Sequence, residues 1–256
     1  MPDPGRSRHE DYLLDLPKER PAYPPLPWVC PNSTMINVYF EVLKAPLLDL
    51  LPPEFCRTSP PYCRLSIFDH PESPVGPFRD AILALGCRLN MMPAAFVAAS
   101  ITNSEKALAA GIFERGFPNR LGKIEFASSR GSARAVVSDS TGPLLEVELP
   151  LLQTIEPSRL AFDHSDALRT TADGETALTI TRPDITIQRA AICKNARIEY
   201  LGEGGETPWQ SLRCRNVVSA QLVHGDRRFD AGQAPGLNAR RTRTFIDPRV
   251  TARYEL

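Results

Sequence analysis

Residues 111 to 126 read GIFERGFPNRLGKIEF, a helix end, a Gly stop and the start of a strand, with Asn119 and Arg120 at the join. The Phe-Pro pair is followed by two polar residues, an asparagine and an arginine, at the strand entrance. An amide nitrogen is not nucleophilic, because its lone pair is delocalised into the carbonyl, so Asn119 offers hydrogen bonds and no covalent chemistry. Its alternative is a turn residue that satisfies backbone groups after Pro118. Arg120 carries a permanent charge and a planar fork that fits carboxylate or enolate oxygens; its alternative is a surface ion pair with Glu125.

Amines are scarce: the chain has five lysines, Lys18, Lys44, Lys106, Lys123 and Lys194. Strand alternation sets Lys123 on the face of Asn119 and Leu121, which leaves open a relocated amine or a structural charge. Asp80 is the best candidate for proton transfer, since an apolar surrounding raises a carboxyl pKa toward neutrality. Its alternative is an ion pair with Arg79 or Arg88. His70 and His164, in FDHPES and FDHSDA, read as surface histidines, His224 as a strand-end structural one, and Arg115 as a solvated helix-end charge. The six cysteines show no paired zinc-ligand spacing and read as reduced, buried thiols. EGGE at 203 to 206 lacks the strand and helix context of a phosphate loop and reads as a turn. No metal or organic cofactor is implied.

The elements that must position these groups are mostly strands. TMINVYFEV, YCRLSIFD, RDAILALGCRLN, AAFVAASIT, LGKIEFASS, ARAVVSDS, PLLEVELPLLQ, TALTITRP, DITIQRAAI, ARIEYL and VVSAQLVHG carry β-branched and aromatic or alternating patterns. A short helix is predicted over APLLDLLPPEF. TNSEKALAAGIFERGF is the clearest helix, capped by Asn103 or Ser104, closed by Gly116, with Leu108, Ile112 and Phe113 as its apolar stripe. Many strands around one long helix predict a mostly-β α+β fold with a closed or nearly closed barrel-like body.

Eight of the first 31 residues are proline, which excludes a helix or central strand there. The sequence divides into a Pro-rich arm over 1–31, mobile over residues 1 to 10 and anchored by Tyr23, Leu26 and Trp28, and a single domain over 32–256. Thirty Lys and Arg balance thirty Asp and Glu, so no field draws the chain to nucleic acid or an anionic membrane. The N-terminus has no apolar signal core and no run is long enough to span a bilayer, which predicts a cytoplasmic protein.

SPVGPFRD (73 to 80), KALAAG (106 to 111) and GFPNRLGKIEF (116 to 126) occur in an order and spacing that resemble the acetoacetate decarboxylase family, from about Asn32 onward. In that family the Gly-Phe-Pro segment leads into two lysines, the first of which forms a Schiff base with the substrate ketone; acetoacetate decarboxylase is a standard case of a lysine activated by a neighbouring cation. These positions fall on Asn119 and Arg120. The acidic residue of the family's Gly-x-Tyr-x-Glu pattern falls on Asp80, a second glutamate near Leu65 or Ser66 is missing, and the substrate arginine falls near Asn32.

The resemblance implies an inherited pocket without imine chemistry. It points to a lyase- or cyclase-type enzyme on a β-keto, enolisable or polyketide-type small molecule, in natural-product biosynthesis. Asp80 and Arg120 would be catalytic, and Asn119, Phe78, Phe117 and Lys123 would bind substrate. A non-catalytic binder on the same scaffold and a decarboxylase using Lys123 are the alternatives. The family and the apolar arm both imply a homo-oligomer.

Overall fold

The computed structural model describes residues 3–12, 21–89, 92–160, 165–170, 176–181, 184–202 and 207–233. His164, the EGGE turn and residues 234–256 therefore lie outside the described residues. In chain order the strands are β1 (Trp28–Glu41), β2 (Cys56–Arg57), β3 (Tyr62–His70), β4 (Phe78–Leu89), β5 (Met92–Thr102), β6 (Asn119–Leu121), β7 (Lys123–Ser128), β8 (Ala133–Asp139), β9 (Gly142–Leu149), β10 (Leu152–Ile155), β11 (Ser165–Thr170), β12 (Thr176–Thr181), β13 (Asp184–Cys193), β14 (Arg197–Tyr200) and β15 (Asn216–Phe229). The α-helices are α1 (Lys44–Leu50), α2 (Glu105–Arg115) and α3 (Pro208–Ser211). No helix among the described residues is long and apolar enough to cross a membrane.

The large sheet runs β10-β13-β15-β1-β3-β4-β5-β11-β12, with β2 beside β4 and β6 beside β5; the small one runs β14-β9-β8-β7. The fold is mostly β, as the strand patterns predict. The barrel expectation is corrected: among the described residues the large sheet ends at β10 and β12 and does not close on itself.

Alternation along the central strands sorts side chains onto two faces. Ile36 and Val38 of β1, Leu65 and Ile67 of β3, and Ala81, Leu83 and Leu85 of β4 form one core with Ile124, Val137 and Val147 of the small sheet. Met35, Phe68, Ile82, Ala84, Val97 and Val223 point the other way and pack with Phe117. Asp80 is in phase with Ile82 and therefore belongs to this second face. Cover on both faces explains the near-continuous apolar runs of β4 and β5.

Ser104 caps α2, its side chain accepting from the Ala107 N–H, and Gly116 closes the helix in the left-handed region at φ 70°. The expected stripe is corrected: the helix buries Ala107, Ala109, Ala110, Gly111, Ile112 and Arg115, while Leu108 and Phe113 are only half-buried. Small side chains let α2 approach the sheet, where Ala107 and Ala110 meet Trp28, Phe78 and Phe229.

The anchors of the N-terminal segment serve this same chain. Trp28 opens β1, a central strand, which corrects the exclusion of such a strand for residues 28–31; it stacks on Phe229 at 5.4 Å between ring centres, and the Tyr23 hydroxyl donates to Glu114 Oε1 at 2.9 Å. Residues 5 to 7 are also held, with the N–H groups of Gly5, Arg6 and Ser7 donating to the carbonyls of Phe55, Leu48 and Leu51. The expectation of a mobile start is corrected for these residues: their backbone donors are satisfied on the body.

Candidate active site

Four strands deliver polar side chains into the otherwise apolar second face. Phe68 and His70 alternate on β3, Phe78 and Asp80 on β4, and Arg227 and Phe229 on β15. On β1 the register shifts between Cys30 and Ser33, with Asn32 in the left-handed region at φ 54°, a conformation asparagine tolerates better than most residues. The bulge turns Ser33 inward, so its hydroxyl reaches His70 Nδ1 at 2.7 Å and the Cys30 carbonyl at 2.8 Å.

His70 is fully buried, which corrects the surface reading. Its Nε2 lies 3.0 Å from Asp80 Oδ1, and Arg227 Nη1 lies 3.3 and 3.4 Å from the two Asp80 oxygens and 3.0 Å from His70 Nε2. Burial holds the imidazole below its ordinary pKa, against the pull of Asp80. His70 is thus held as a neutral imidazole, with Nε2 against Asp80 and Arg227 and Nδ1 against the Ser33 hydroxyl, which itself donates to the Cys30 carbonyl. The FDHPES sequence looks polar, but His70 keeps the strand phase of Phe68, and that period was the available signal.

Asp80 is also buried, and its expected pKa direction is reversed. Burial alone would push the carboxyl up, but the Arg227 charge and the His70 hydrogen bond outweigh it and hold Asp80 below its ordinary value. Asp80 thus stands as a carboxylate, a proton acceptor. The ion-pair alternatives are corrected as well: Arg79 bonds Asp69 at 2.7 Å, and the partner of Asp80 is Arg227.

Arg115 is not a solvated helix-end charge. Only 5% exposed, it lies between two rings, 4.2 Å from the centre of Phe117 and 4.1 Å from that of Phe229. Arg227 lies 3.7 Å over Phe68. Burial, reinforced by the like charge of Arg227, lowers the Arg115 pKa to about 9, so it remains a cation at neutral pH. Sequence reasoning missed both arginines, because a charge two residues from an aromatic on a strand or helix end gives no sign of being covered.

Asn119 pairs with Ser100 across β5 and β6, and Ser100 Oγ donates to its Oδ1. Its Nδ2 packs on Gly111, where an added Cβ would lie 2.0 Å away; the glycine of KALAAG is what admits the amide. Ser100 faces Ile82 across the sheet, so Asn119 shares the face of Asp80. Phe78 and Phe117 are buried there too.

Arg120 and Lys123 stand outside. Arg120 is exposed, because alternation on β6 turns it away from Asn119. After Leu121 the chain leaves the large sheet, and Lys123 begins β7 in the small one, its side chain 74% exposed and bonded to Glu125 at 2.6 Å. Neither therefore joins the buried cluster around Asp80, and Glu125 serves Lys123 rather than Arg120. Asn32, at the arginine position, is exposed, and Ser66 bonds Asn37, which bonds Gln221, in place of a second carboxylate. His224 is half-buried beside Thr34. Among the described residues no three His, Cys, Asp or Glu side chains are grouped to hold a metal, and all six cysteines are free.

A protein family described as Acetoacetate decarboxylase (ADC) matches residues 14–235. Among curated protein sequences none matches. An acetoacetate decarboxylase from Legionella pneumophila is similar in structure, with 16% identity, a TM-score of 0.74 and coverage of 89% of this chain and 94% of that one. The enduracididine biosynthesis enzyme MppR in complex with pyruvate has 13% identity, a TM-score of 0.68 and coverage of 82% and 91%. An acetoacetate decarboxylase-like enzyme from Sphingomonas wittichii RW1 has 15% identity, a TM-score of 0.66 and coverage of 82% and 92%.

Proposed function

The chain belongs to the acetoacetate decarboxylase family, and we propose that it is an enzyme that enolises a small oxo compound without forming an imine. The observation that carries this reading is the pairing of a non-nucleophilic Asn119 with a buried Asp80–His70–Arg227 cluster on one sheet face. Among the described residues every lysine is exposed, or paired at the surface as Lys44 is with Asp3, so the family's amine step has no buried amine to perform it.

In the proposed step Asp80 accepts a proton from the carbon next to the substrate carbonyl. The C–H bond breaks, an O–H bond forms on Asp80, and the electron pair moves to the carbonyl oxygen. Arg227 is fixed beside the developing charge by Phe68 and Asp80, the arrangement in which a cation stabilises an enolate with little reorganisation. Asn119, its Oδ1 engaged by Ser100, has only its N–H groups to offer, so its role is to donate to a substrate oxygen. His70 and Ser33 hold the Asp80 carboxylate in place. Arg120 and Lys123 have no part.

An enolate can collapse by proton return, loss of a leaving group, or attack on an aldehyde. MppR occurs in complex with a condensation product of pyruvate and an imidazole carboxaldehyde, which supports a lyase- or condensation-type outcome and a biosynthetic setting. A second reading, a binder without turnover, is favoured by the tight engagement of Asp80 with Arg227. One experiment separates them: incubate the protein with pyruvate or acetoacetate in D2O and follow loss of the protons next to the carbonyl by NMR. Exchange without a borohydride-trapped adduct is expected. Ligand that binds and keeps its protons supports the binder, and a trapped adduct rejects imine-free chemistry.

A further inference from the structure

We infer that Arg115 and Arg227, at the junction of α2 and β15, form a seat for one small monovalent carboxylate. The first ground is charge. Arg115 and Arg227 are both buried cations, Asp80 is the one buried anion among them, and His70 is neutral, which leaves one positive charge uncompensated. Asp230, whose charge also reaches Arg115, is engaged by Arg228 at 3.0 Å.

The second ground is hydrogen bonding. Arg115 Nε and Nη1 are buried without a hydrogen-bond partner among the described residues. Phe117 and Phe229 cover the guanidinium faces, and ring quadrupoles attract a cation but accept no in-plane N–H. An unpaired buried cation is strongly unfavourable, and its unmet donors add to that. A carboxylate suits both deficits, since it brings one negative charge and two acceptor oxygens to a guanidinium fork.

The carboxylate would belong to the substrate of the proposed enolisation, and the inference rests on that reading only for the ligand's identity, since binding needs no turnover. It also changes what Asp80 can do. A carboxylate drawn to Arg227 shares the cation that holds Asp80 down, so Asp80 becomes a stronger base when substrate is seated. Arg115 is on this account a specificity-determining residue.

The test is equilibrium binding to the full chain at low salt. Pyruvate and acetate are expected to raise the melting temperature, while methyl pyruvate and acetone at equal concentration do not. In Arg115→Met, which keeps the bulk and the aromatic contacts, pyruvate affinity measured by calorimetry should fall about ten- to a hundredfold, the size of charged hydrogen bonds lost. The same variant should melt at or above the wild type without added anion, because an unpaired buried charge has been removed. The inference is overturned if neutral and anionic compounds act alike, if inorganic phosphate shifts melting while pyruvate and acetate do not, or if Arg115→Met keeps pyruvate affinity. Melting of that variant below the wild type, or failure to fold, would show a structural cation and overturn it as well. Proton exchange in D2O reads enolisation separately, so a seated but unreactive pyruvate rejects the enolisation and leaves the seat standing.

Discussion

Arg227 Nη1 meets Asp80 Oδ1 at 3.3 Å although their strands lie three places apart in the sheet, with β1 and β3 between them. Three strand spacings are roughly 14 Å, a span that takes a long side chain lying across the face. Arg227 does this over Phe68. The contact makes Asp80 a committed carboxylate and gives the face its chemical polarity.

Asp80→Asn should therefore remove proton exchange while preserving size. General acid–base groups contribute about a hundred- to ten-thousand-fold, and the exchange rate in D2O should fall within that range. An unchanged rate would reduce Asp80 to a structural counter-ion of Arg227.

Asn119→Lys should restore a trappable amine. The new side chain would start beside Ser100 and Gly111 on the face of Asp80, near the Arg115 and Arg227 charges, which depress an ammonium pKa. Borohydride with acetoacetate should then add mass to the variant and not to the wild type, by intact mass spectrometry. Absence of an adduct in a folded variant would mean that position 119 does not reach the ketone.

Arg120→Ala and Lys123→Ala should leave exchange and trapping unchanged within a factor of about two, as exposed charges contribute little. A hundredfold loss in either would place that residue back in the site.

His70 sets an acid limit on stability. Its folded pKa lies below the unfolded value of about 6.5, so its contribution is present above that pH and is lost as pH falls through the folded pKa. Asp80, also lowered, acts in the same sense at lower pH, whereas Asp166, raised to about 7 by burial, favours the fold toward acid. The difference in melting temperature between wild type and His70→Gln isolates the histidine. That difference should shrink as pH drops below about 6.5, and a constant difference from pH 8 to 5 would contradict a buried neutral imidazole.

Removing residues 1–20 should lower the melting temperature, since Gly5, Arg6 and Ser7 lend backbone donors to carbonyls at Leu48, Leu51 and Phe55. Unchanged melting would show that this segment adds no stability.

The strands and α2 were legible because period-2 alternation and caps are local signals, and Asn119 and Asp80 were legible through the family motifs. Ser33, His70, Arg115 and Arg227 were not. Ser33 depends on a bulge at Pro31 and Asn32; the proline marks an irregularity there but not the face to which Ser33 turns. His70 sits among Pro, Asp and Ser, and its burial follows only from the strand running one residue further than the hydrophobic pattern does. Arg115 and Arg227 are buried by Phe229, more than a hundred residues from the helix that carries Arg115. Arg120 and Lys123 were misplaced for the opposite reason. Alternation was extended through Gly122, where the chain changes sheets.

β1 pairs with β15 from Trp28 with Phe229 to Glu41 with Asn216, so the first and the last of the described strands are neighbours inside the large sheet. A chain emerging from the ribosome makes β1, β3 and β4 long before β15 exists. Asp80 and His70 then stand without Arg227, and Arg115 without one of its two rings. Long-range pairings of this kind form late, because the loop entropy is lost before the contacts are gained. The buried cluster is thus completed by the last described strand: a partly folded chain holds the carboxylate and the histidine, but no cation beside them.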